Sequence, residues 1–334
     1  MPIKILTLMI ITMLSASYTA YAQGNEKLHF DAMLTSYAYP FEVKYHEFSA
    51  QGQDLKMAYM YLPPATAENE TLILLHGKNF NGAYWESTAK LLNAKGYGVL
   101  IPDQIGFGKS SKTTAYQYSF AALAKNTKDL MTALDIKKSV ILGHSMGGML
   151  ASRFALLYPD STTKLILLNP IGLENYLQYV DYKDIHFFTQ KERKIKAENI
   201  ISYQKKNYYD GAWNADYAAL TTPLIGWIQG PDWDQIAQVS ALTYDMIFTQ
   251  PVIEEFKYLT MPTTLILGTR DRTGPGRGWK KTGVTRELGR YDQLGAEVKE
   301  RNEKIQLIEL DGLGHLPQHE DFTRFKTALF KALN

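Results

Sequence analysis

The chain contains no cysteine among its 334 residues. This absence excludes disulfide bonds, thiolate metal sites and cysteine nucleophiles, so covalent chemistry here would use oxygen or nitrogen nucleophiles. An excess of one charge is also missing, because 36 Lys and Arg residues balance 34 Asp and Glu residues to a formal net charge of +2. Since these charges are dispersed along the chain, the composition gives no reason to expect a nucleic-acid partner.

Long apolar runs are also missing. The run from Ile5 to Leu14 is shorter than the roughly 20 residues that a membrane-spanning helix needs. It follows Lys4 and precedes Ala20-Tyr21-Ala22, which fits a small-x-small cleavage site. We therefore predict a signal peptide at residues 1–22, cleaved near Ala22, and an exported periplasmic or secreted protein without stable membrane insertion. An uncleaved membrane anchor is the alternative.

Short runs rich in Val, Ile and Leu recur along the rest of the chain, and each ends in turn residues. Continuous apolar runs of this length are typical of strands buried on both faces of a parallel sheet. The predicted strands are Leu72 to Leu75, Gly98 to Ile101, Val140 to Leu142, Lys164 to Leu168, Thr264 to Leu267 and Ile305 to Leu310. Two earlier segments, Phe41 to Phe48 and Lys56 to Leu62, are predicted to form an antiparallel hairpin at the edge of this sheet.

Helical patterns separate these strands, which predicts an α/β fold with a mostly parallel sheet flanked by helices. The predicted helices are Trp85 to Ala94, Phe120 to Leu134 with Ser119 as N-cap, Met146 to Tyr158, and Asp321 to Leu333. Residues 172–258 break the alternation and contain helical patches such as Lys191 to Lys205 and Gln235 to Phe248. We therefore predict a helical cap at 172–258, inserted between two parts of the core, 23–171 and 259–334.

The strongest chemical signal is Gly143-His144-Ser145-Met146-Gly147, which follows a predicted strand and precedes a predicted helix. In this context a G-x-S-x-G sequence indicates a sharp turn that exposes the serine hydroxyl. The glycines are needed because side chains there would collide with the neighbouring strand and helix. The pattern predicts Ser145 as a nucleophile, and an incidental serine in a tight turn is the alternative.

A serine hydroxyl needs a general base, and the loop after the last predicted strand supplies His315. The rival His319, four residues farther on, looks like part of the final helix. His144 is set aside because a side chain at its position should point away from the reacting hydroxyl.

The base needs an acceptor that fixes its tautomer, and Asp271 follows the strand before the histidine strand. The alternative for Asp271 is a solvated loop carboxylate, and Asp311 is a poorer candidate because it precedes the loop that carries the base. The order Ser145, Asp271, His315 matches that of α/β-hydrolases.

The chain resembles the α/β-hydrolase superfamily over about residues 41–171 and 259–334. It is similar to the lidded branch that includes serine esterases, carbon–carbon bond hydrolases and haloperoxidase-like enzymes. The motifs that carry the resemblance are His76 to Phe80, Asp103 to Ser110, Gly143 to Gly148, and Gly312 to His315. Members with a carboxylate nucleophile, such as haloalkane dehalogenases and epoxide hydrolases, are disfavoured by Ser145.

The resemblance also implies an oxyanion hole. One donor is expected to be the backbone N–H of Met146, and the second that of Lys78, with Asn79 as the alternative. The Lys78 side chain is expected to be solvated, although it could point at an anionic substrate group. Asp103 is expected to hold neighbouring loops by hydrogen bonds.

Two segments bear on the substrate. The cap is rich in aromatic residues, most of which are expected to pack cap against core while some line an apolar pocket: Tyr176, Tyr179, Tyr182, Phe187, Phe188, Trp213, Trp227, Trp233, Tyr244 and Phe248. The basic segment from Arg272 to Lys304 is interpreted as a solvated excursion. In the alternative interpretation, part of it overhangs the site and favours an acidic substrate.

These observations predict a serine hydrolase that cleaves a small-molecule carboxylic ester through an acyl-enzyme. Carbon–carbon cleavage or haloperoxidase-like (perhydrolase-like) chemistry on the same residues is the alternative within the enzymes, and a non-catalytic binding protein is the alternative outside them. No metal-ligand spacing and no phosphate-binding glycine loop is found, so no metal and no cofactor is expected. The pattern does not fix the natural substrate or the oligomeric state.

Overall fold

The computed structural model describes residues 28–334, so the predicted signal peptide at residues 1–22 lies outside the described part of the chain. An eight-stranded sheet forms its centre, in the order β1-β2-β4-β3-β5-β6-β7-β8. The strands are β1 (Val43–Ala50), β2 (Gln53–Leu62), β3 (Thr71–Leu75), β4 (Gly98–Pro102), β5 (Ser139–His144), β6 (Thr162–Leu168), β7 (Thr263–Gly268) and β8 (Gln306–Leu310).

The sheet is antiparallel at one edge and parallel elsewhere. Strands β1 and β2 form the predicted hairpin, and β2 also pairs antiparallel with β4. All pairs from β4 to β8 are parallel. Strands β3, β4, β5 and β7 are buried along their whole length, as their apolar runs predicted. Because parallel strands end at the same edge, the residues after β3 to β8 meet there.

Helices cover both faces of the sheet, which confirms the predicted α/β class. The helices of the core are α1 (Glu86–Asn93), α2 (Phe120–Ala133), α3 (Met146–Leu157), α9 (Tyr291–Arg301), α10 (Pro317–Glu320) and α11 (Phe322–Leu333). Ser119 caps α2 as predicted, since its side chain accepts a hydrogen bond from the backbone N–H of Ala122.

Five further helices lie between β6 and β7, in the segment predicted to be a helical insertion. They are α4 (Ile185–Arg193), α5 (Ala197–Asn207), α6 (Ala215–Ala219), α7 (Thr222–Ile228) and α8 (Trp233–Thr249). The predicted helical patch from Lys191 to Lys205 is helical except at residues 194–196, so it is divided between two helices. The chain leaves α4 at Lys194 and starts α5 after Lys196, whose backbone N–H is bonded by the Asn199 side chain.

The final helix α11 agrees with its predicted bounds, but the expected placement of His319 in that helix is wrong. His319 lies in the short separate helix α10, and α11 starts after Asp321, whose side chain accepts a hydrogen bond from the backbone N–H of Arg324. Pro317 starts α10, since its fixed backbone angle suits the first helical position. His319 is therefore not part of the final helix.

An N-terminal arm packs on the cap, a contact that the sequence did not predict. Phe30 and Leu34 of the arm form an apolar cluster with Trp227 and Ile236 of the cap. The backbone N–H of Phe30 donates to the carbonyl of Gly226. No helix among residues 28–334 is long and apolar enough to cross a membrane.

Candidate active site

Ser145 lies on a strained turn between β5 and α3. Its φ of 56° and ψ of −122° are unusual for a residue with a side chain. A Cβ atom on Gly143 would lie 2.1 Å from the carbonyl oxygen of Gly147, and one on Gly147 would lie 2.2 Å from that of Leu75. Side chains at both glycines would therefore collide with the neighbouring backbone, as predicted. The turn holds Ser145 at the edge of the sheet.

The structure brings Ser145, His315 and Asp271 together in one line of hydrogen bonds. The Oγ of Ser145 is 3.0 Å from the Nε2 of His315, and the Nδ1 of His315 is 2.6 Å from the Oδ2 of Asp271. Both His315 and Asp271 are completely buried, and Ser145 is 7% exposed. The serine is therefore the member of the three that is open to a ligand.

Asp271 is held on both carboxylate oxygens. Oδ1 accepts the backbone N–H of Thr273 at 2.8 Å, and Oδ2 accepts the side-chain amide of Asn169 at 2.9 Å. Burial by itself would raise the pKa of the Asp271 carboxyl, but His315, Thr273 and Asn169 together hold it below its ordinary value. Asp271 therefore keeps the negative charge that a protonated His315 needs.

Asn169 was missed in the sequence analysis. It follows β6, which lies between β5 and β7 in the sheet. A polar residue at that strand end, between the ends that carry Ser145 and Asp271, was the available signal.

His144 anchors the loop that carries His315. Its Nε2 is 2.8 Å from the backbone carbonyl of His315, and its Nδ1 is 2.9 Å from the hydroxyl of Tyr84. Because a carbonyl only accepts, Nε2 carries the proton, and Tyr84 donates to Nδ1. Burial, with His315 nearby, holds the pKa of His144 well below its ordinary value, so the ring is neutral. As expected, His144 makes no hydrogen bond to the serine hydroxyl in the described structure.

The rivals for the base and the acid lie elsewhere. His319 stacks on Tyr84, with ring centroids 5.8 Å apart, and burial lowers its pKa to about 4. Asp311 accepts a hydrogen bond from the hydroxyl of Thr269 at the surface. Neither residue hydrogen-bonds to Ser145 or His315 in the described part of the chain.

The loop after β3 runs against Ser145. A Cβ atom on Gly77 would lie 3.0 Å from the Cβ of Ser145. The N–H of Gly77 donates to the hydroxyl of Tyr84, and that of Phe80 donates to the carbonyl of Gly77. The N–H groups of Lys78 and Asn79 lie between these two bonded positions, so both remain candidates for a donor.

The expectation of a solvated Lys78 side chain is wrong. Its Nζ donates to the hydroxyl of Ser240 at 2.6 Å, and that hydroxyl donates to the carboxylate of Glu192 at 2.7 Å. The ammonium also lies 5.3 Å from the ring centre of Tyr244. Burial lowers the pKa of Lys78, and Glu192 opposes this shift. Lys78 therefore ties the loop after β3 to the cap.

Asp103 has the loop-holding contacts that were expected. It is 1% exposed and follows β4. Its carboxylate accepts the N–H groups of Gly82 and Lys109, at 2.6 and 2.7 Å, and the hydroxyl of Tyr39 at 2.6 Å. These bonds join the loops after β3 and β4 to the N-terminal arm.

Two cap tyrosines that were not singled out in the sequence lie on the side of His315. Tyr208 stacks on His315, with ring centroids 4.5 Å apart, and Tyr203 contacts Tyr208 edge-on at 5.5 Å. Tyr203 is 43% exposed, so part of its surface is open to solvent. By contrast, Phe188 and Phe248 are buried and pack the cap, as expected for most of its aromatic residues.

The interpretation of residues 272–304 as a solvated excursion is wrong. Trp279 packs against Phe187 and Phe188 of the cap, and Lys280 forms a β-bridge with Val180. Farther on, the segment forms helix α9, which packs against β7 and β8. The basic segment is thus part of the wall between the core and the cap. No group of His, Asp or Glu residues that could hold a metal ion occurs among the described residues.

Comparisons with known proteins agree with this architecture. The family model described as "alpha/beta hydrolase fold" matches residues 70–190. A solved structure of a probable hydrolytic enzyme from Pseudomonas aeruginosa is 40% identical, with a TM-score of 0.89, and the alignment covers 92% of this chain and 99% of that one. A thermophilic esterase from Thermogutta terrifontis, 18% identical with a TM-score of 0.65 over 87% of this chain and 98% of that one, shares the fold.

Sequence relatives match over a shorter stretch. The 2-hydroxy-6-oxo-6-phenylhexa-2,4-dienoate hydrolase of Burkholderia cepacia is 38% identical over 109 residues, which is 32% of this chain and 38% of that protein. An uncharacterised protein of Mycobacterium tuberculosis is 40% identical over 103 residues, 30% of this chain and 29% of that protein. The chain thus spans less than half the length of these curated relatives. The near-complete match to the Pseudomonas structure, the family model and the sheet order together show that the chain belongs to the α/β-hydrolase family.

Proposed function

We propose that this protein is a serine hydrolase that cleaves a carboxylic-ester substrate through an acyl-enzyme on Ser145. The observation that carries the proposal is the line of hydrogen bonds from the Ser145 hydroxyl through both ring nitrogens of His315 to Asp271. A hydroxyl bonded to an imidazole whose other nitrogen faces a buried carboxylate is the arrangement that activates serine for acyl transfer.

In the first half of the reaction, the Oγ of Ser145 attacks the carbonyl carbon while its proton moves to the Nε2 of His315. The Nδ1–H of His315 donates to Asp271, whose charge stabilises the imidazolium that forms. The tetrahedral intermediate collapses as the carbon–oxygen bond to the leaving alcohol breaks. His315 gives its proton to the departing oxygen, and the acyl group stays on Ser145.

In the second half, His315 takes a proton from water, and the resulting hydroxide attacks the acyl carbon. The bond to Oγ breaks, and His315 returns the proton to Ser145 as the carboxylic acid leaves. Because the three side chains are almost fully buried, these charges develop where few water molecules screen them.

The oxyanion is assigned to two backbone donors. Met146 is the first residue of α3, so its N–H has no acceptor within the helix. The second donor is the N–H of Lys78, with Asn79 as the alternative, because the flanking N–H groups of Gly77 and Phe80 are already bonded. Each such donor contributes on the order of 10²–10³ in rate.

Hydrolytic cleavage of a carbon–carbon bond next to a carbonyl is the second candidate. It is favoured by the relative from Burkholderia cepacia, whose name gives 2-hydroxy-6-oxo-6-phenylhexa-2,4-dienoate as its substrate. Such a reaction can use the same serine and histidine, so the geometry around Ser145 is compatible with both bonds.

The deciding experiment is hydrolysis of p-nitrophenyl esters, from acetate to dodecanoate, by the purified protein and by Ser145→Ala. We expect turnover by the wild type and a loss of roughly 10⁴- to 10⁶-fold in kcat in the variant. Ser152→Ala is the matched control, because Ser152 lies on α3, the helix that follows Ser145, and its hydroxyl donates to the carbonyl of Gly148. Labelling of wild type, but not of Ser145→Ala, by a fluorophosphonate gives a second readout.

If no ester is cleaved but the fluorophosphonate still labels Ser145, the carbon–carbon hypothesis takes precedence. It is then tested with the ring-cleavage dienoate named above, by the loss of its visible absorbance. If neither substrate reacts and no label is incorporated, the hydrolase proposal is wrong.

We also propose that residues 1–22 direct export to the periplasm or the medium and are removed near Ala22. The support is the sequence pattern of Lys4, the apolar run and Ala20-Tyr21-Ala22. Mass spectrometry of the protein from cell fractions tests this, with a mature N-terminus at Gln23 expected outside the cytoplasm. Intact protein that remains in the cytoplasmic fraction would contradict it.

A further inference from the structure

A basic pocket lies beside the loop that carries Asp271. Its volume is about 430 Å³, and it is lined by Arg272, Arg277, Lys280, Glu287, Leu288 and Arg290. Four of these six side chains are cationic and one is anionic. All of the lining residues belong to the basic segment from Arg272 to Lys304, and none of them takes part in the proposed ester hydrolysis.

Two of the four cations already have carboxylate partners. Arg290 pairs with Glu287 at 2.8 Å and with Asp292 at 2.7 Å. Arg272 lies 3.4 Å from the same Asp292. The positive charges of Arg272 and Arg290 are therefore balanced by the negative charges of Glu287 and Asp292.

The other two cations have no carboxylate partner within residues 28–334. Arg277 donates to the carbonyl of Gly274 at 3.3 Å and lies 3.4 Å from the amide oxygen of Asn207. The Nζ of Lys280 donates to the carbonyl of Arg286 at 3.2 Å. The pocket thus carries two positive charges that the protein leaves uncompensated, both of them on a loop fixed by the packing of Trp279 on the cap.

Arg277 also connects the basic pocket to the surroundings of His315, because its guanidinium lies 3.4 Å from the amide oxygen of Asn207, the residue before Tyr208. Burial raises the pKa of both Tyr203 and Tyr244, and the charge of Arg277 acts in the opposite direction on both. Tyr208 stacks on His315 and contacts Tyr203 edge-on, so the chain from Asn207 to Tyr208 leads from Arg277 to His315.

We propose that the basic pocket binds a carboxylate at the far end of the substrate, with Arg277 and Lys280 as its ligands. The proposal rests on the proposed ester hydrolysis and narrows its substrates to acyl chains that end in a negative charge. A guanidinium presents two parallel N–H donors that match the two oxygens of a carboxylate. The aromatic side chains of Tyr203 and Tyr208 would then contact the apolar part of the chain between the two ends.

The test compares mono-p-nitrophenyl esters of adipic, suberic and sebacic acid with p-nitrophenyl esters of monocarboxylic acids of matched length. The readout is the ratio of kcat/KM for the charged ester to that for the neutral ester. We expect a wild-type ratio well above 1 that falls as salt is raised, because charge pairing at a partly open site is screened.

Arg277→Gln should lower this ratio about tenfold, the size expected for one lost hydrogen bond between charged groups, and should act through KM. Arg277→Glu should lower it further. The matched control is Arg301→Gln, because Arg301 pairs with Glu254 on the surface and does not line the pocket. Its ratio should equal that of the wild type.

A kcat/KM ratio near 1 in the wild type would overturn the pocket proposal while leaving ester hydrolysis intact. A ratio in Arg277→Gln equal to that of the wild type would do the same. If no ester of either kind reacts, isothermal titration of adipate into Ser145→Ala decides the pocket separately. Millimolar or tighter binding that is lost in Ser145→Ala with Arg277→Gln supports a carboxylate site, and no binding in either protein refutes it.

Discussion

His144 offers a test of how the base is held in place. Replacing it by phenylalanine keeps an aromatic ring of similar size but removes both of its hydrogen bonds. The backbone carbonyl of His315 loses the donor at 2.8 Å, and the hydroxyl of Tyr84 loses the acceptor at 2.9 Å. Because His144 makes no hydrogen bond to Ser145 or Asp271 in the described structure, any effect on the reaction must pass through the position of the histidine loop.

The expected magnitude follows from the groups that are left behind. A buried polar group that loses its partner costs about 1–3 kcal/mol. The Tyr84 hydroxyl still accepts a hydrogen bond from the N–H of Gly77, so the free-energy cost of its lost partner lies at the low end of that range. We therefore expect His144→Phe to lower the free energy of unfolding by about 2–4 kcal/mol. Since small displacements of a catalytic group can cost roughly 10²-fold in rate, we expect kcat to fall between about 10- and 100-fold with little change in KM.

The assay combines urea unfolding with steady-state kinetics on one p-nitrophenyl ester. His319→Phe is the matched control, because the half-buried His319 also stacks on Tyr84 but its side chain makes no hydrogen bond to the histidine loop in the described residues. His144→Gln retains a side-chain donor and should recover part of the lost kcat.

Two results would refute this reasoning. Wild-type kcat in His144→Phe would mean that the bond to the His315 carbonyl does not position the base. A loss as large as that of Ser145→Ala in a protein that remains folded would mean that His144 takes part in the reaction itself.

Three further changes test the scaffold. Asp103→Ala leaves two buried backbone N–H groups and a tyrosine hydroxyl without their acceptor. Thermal denaturation should show that the free energy of unfolding falls by about 3 kcal/mol or more, and a decrease below about 1 kcal/mol would contradict the loop-holding role of Asp103. Gly147→Ala places a Cβ 2.2 Å from the carbonyl oxygen of Leu75 and should lower both stability and kcat, while Gly278→Ala, with nothing within 4 Å of the added atom, should leave the melting temperature unchanged. Burial lowers the pKa of His319 from 6.5 to about 4, so between these pH values the unfolded chain binds a proton that the folded chain does not. As the pH drops through this range, His319 therefore lowers the free energy of unfolding by about 1.4 kcal/mol per pH unit. Urea titrations at pH 7, 6 and 5 should give a shallower decline in His319→Phe, and equal slopes would show that another group controls this acid sensitivity.

The core of the fold and the three central residues could be predicted from the sequence. Runs such as Leu72 to Leu75 are apolar at every position, as is typical of a strand whose two faces are both covered by other parts of the protein. Once the strands are parallel, their ends share one edge, so Ser145, Asp271 and His315 are brought together by topology although they are far apart in the chain. The glycines beside Ser145 carry further information, because the turn admits no side chain at those positions.

The contacts between the cap and the core were decided only by the tertiary structure. The stacking of Tyr208 on His315, the bond from Lys78 to Ser240 and the packing of Trp279 on the cap depend on the angles at which helices and loops pack. Local periodicity carries no information on those angles, because an exposed lysine and a lysine bonded across a cleft have the same neighbours in sequence. The sequence therefore determined the sheet and the residues at its edge, and tertiary packing decided which side chains surround them.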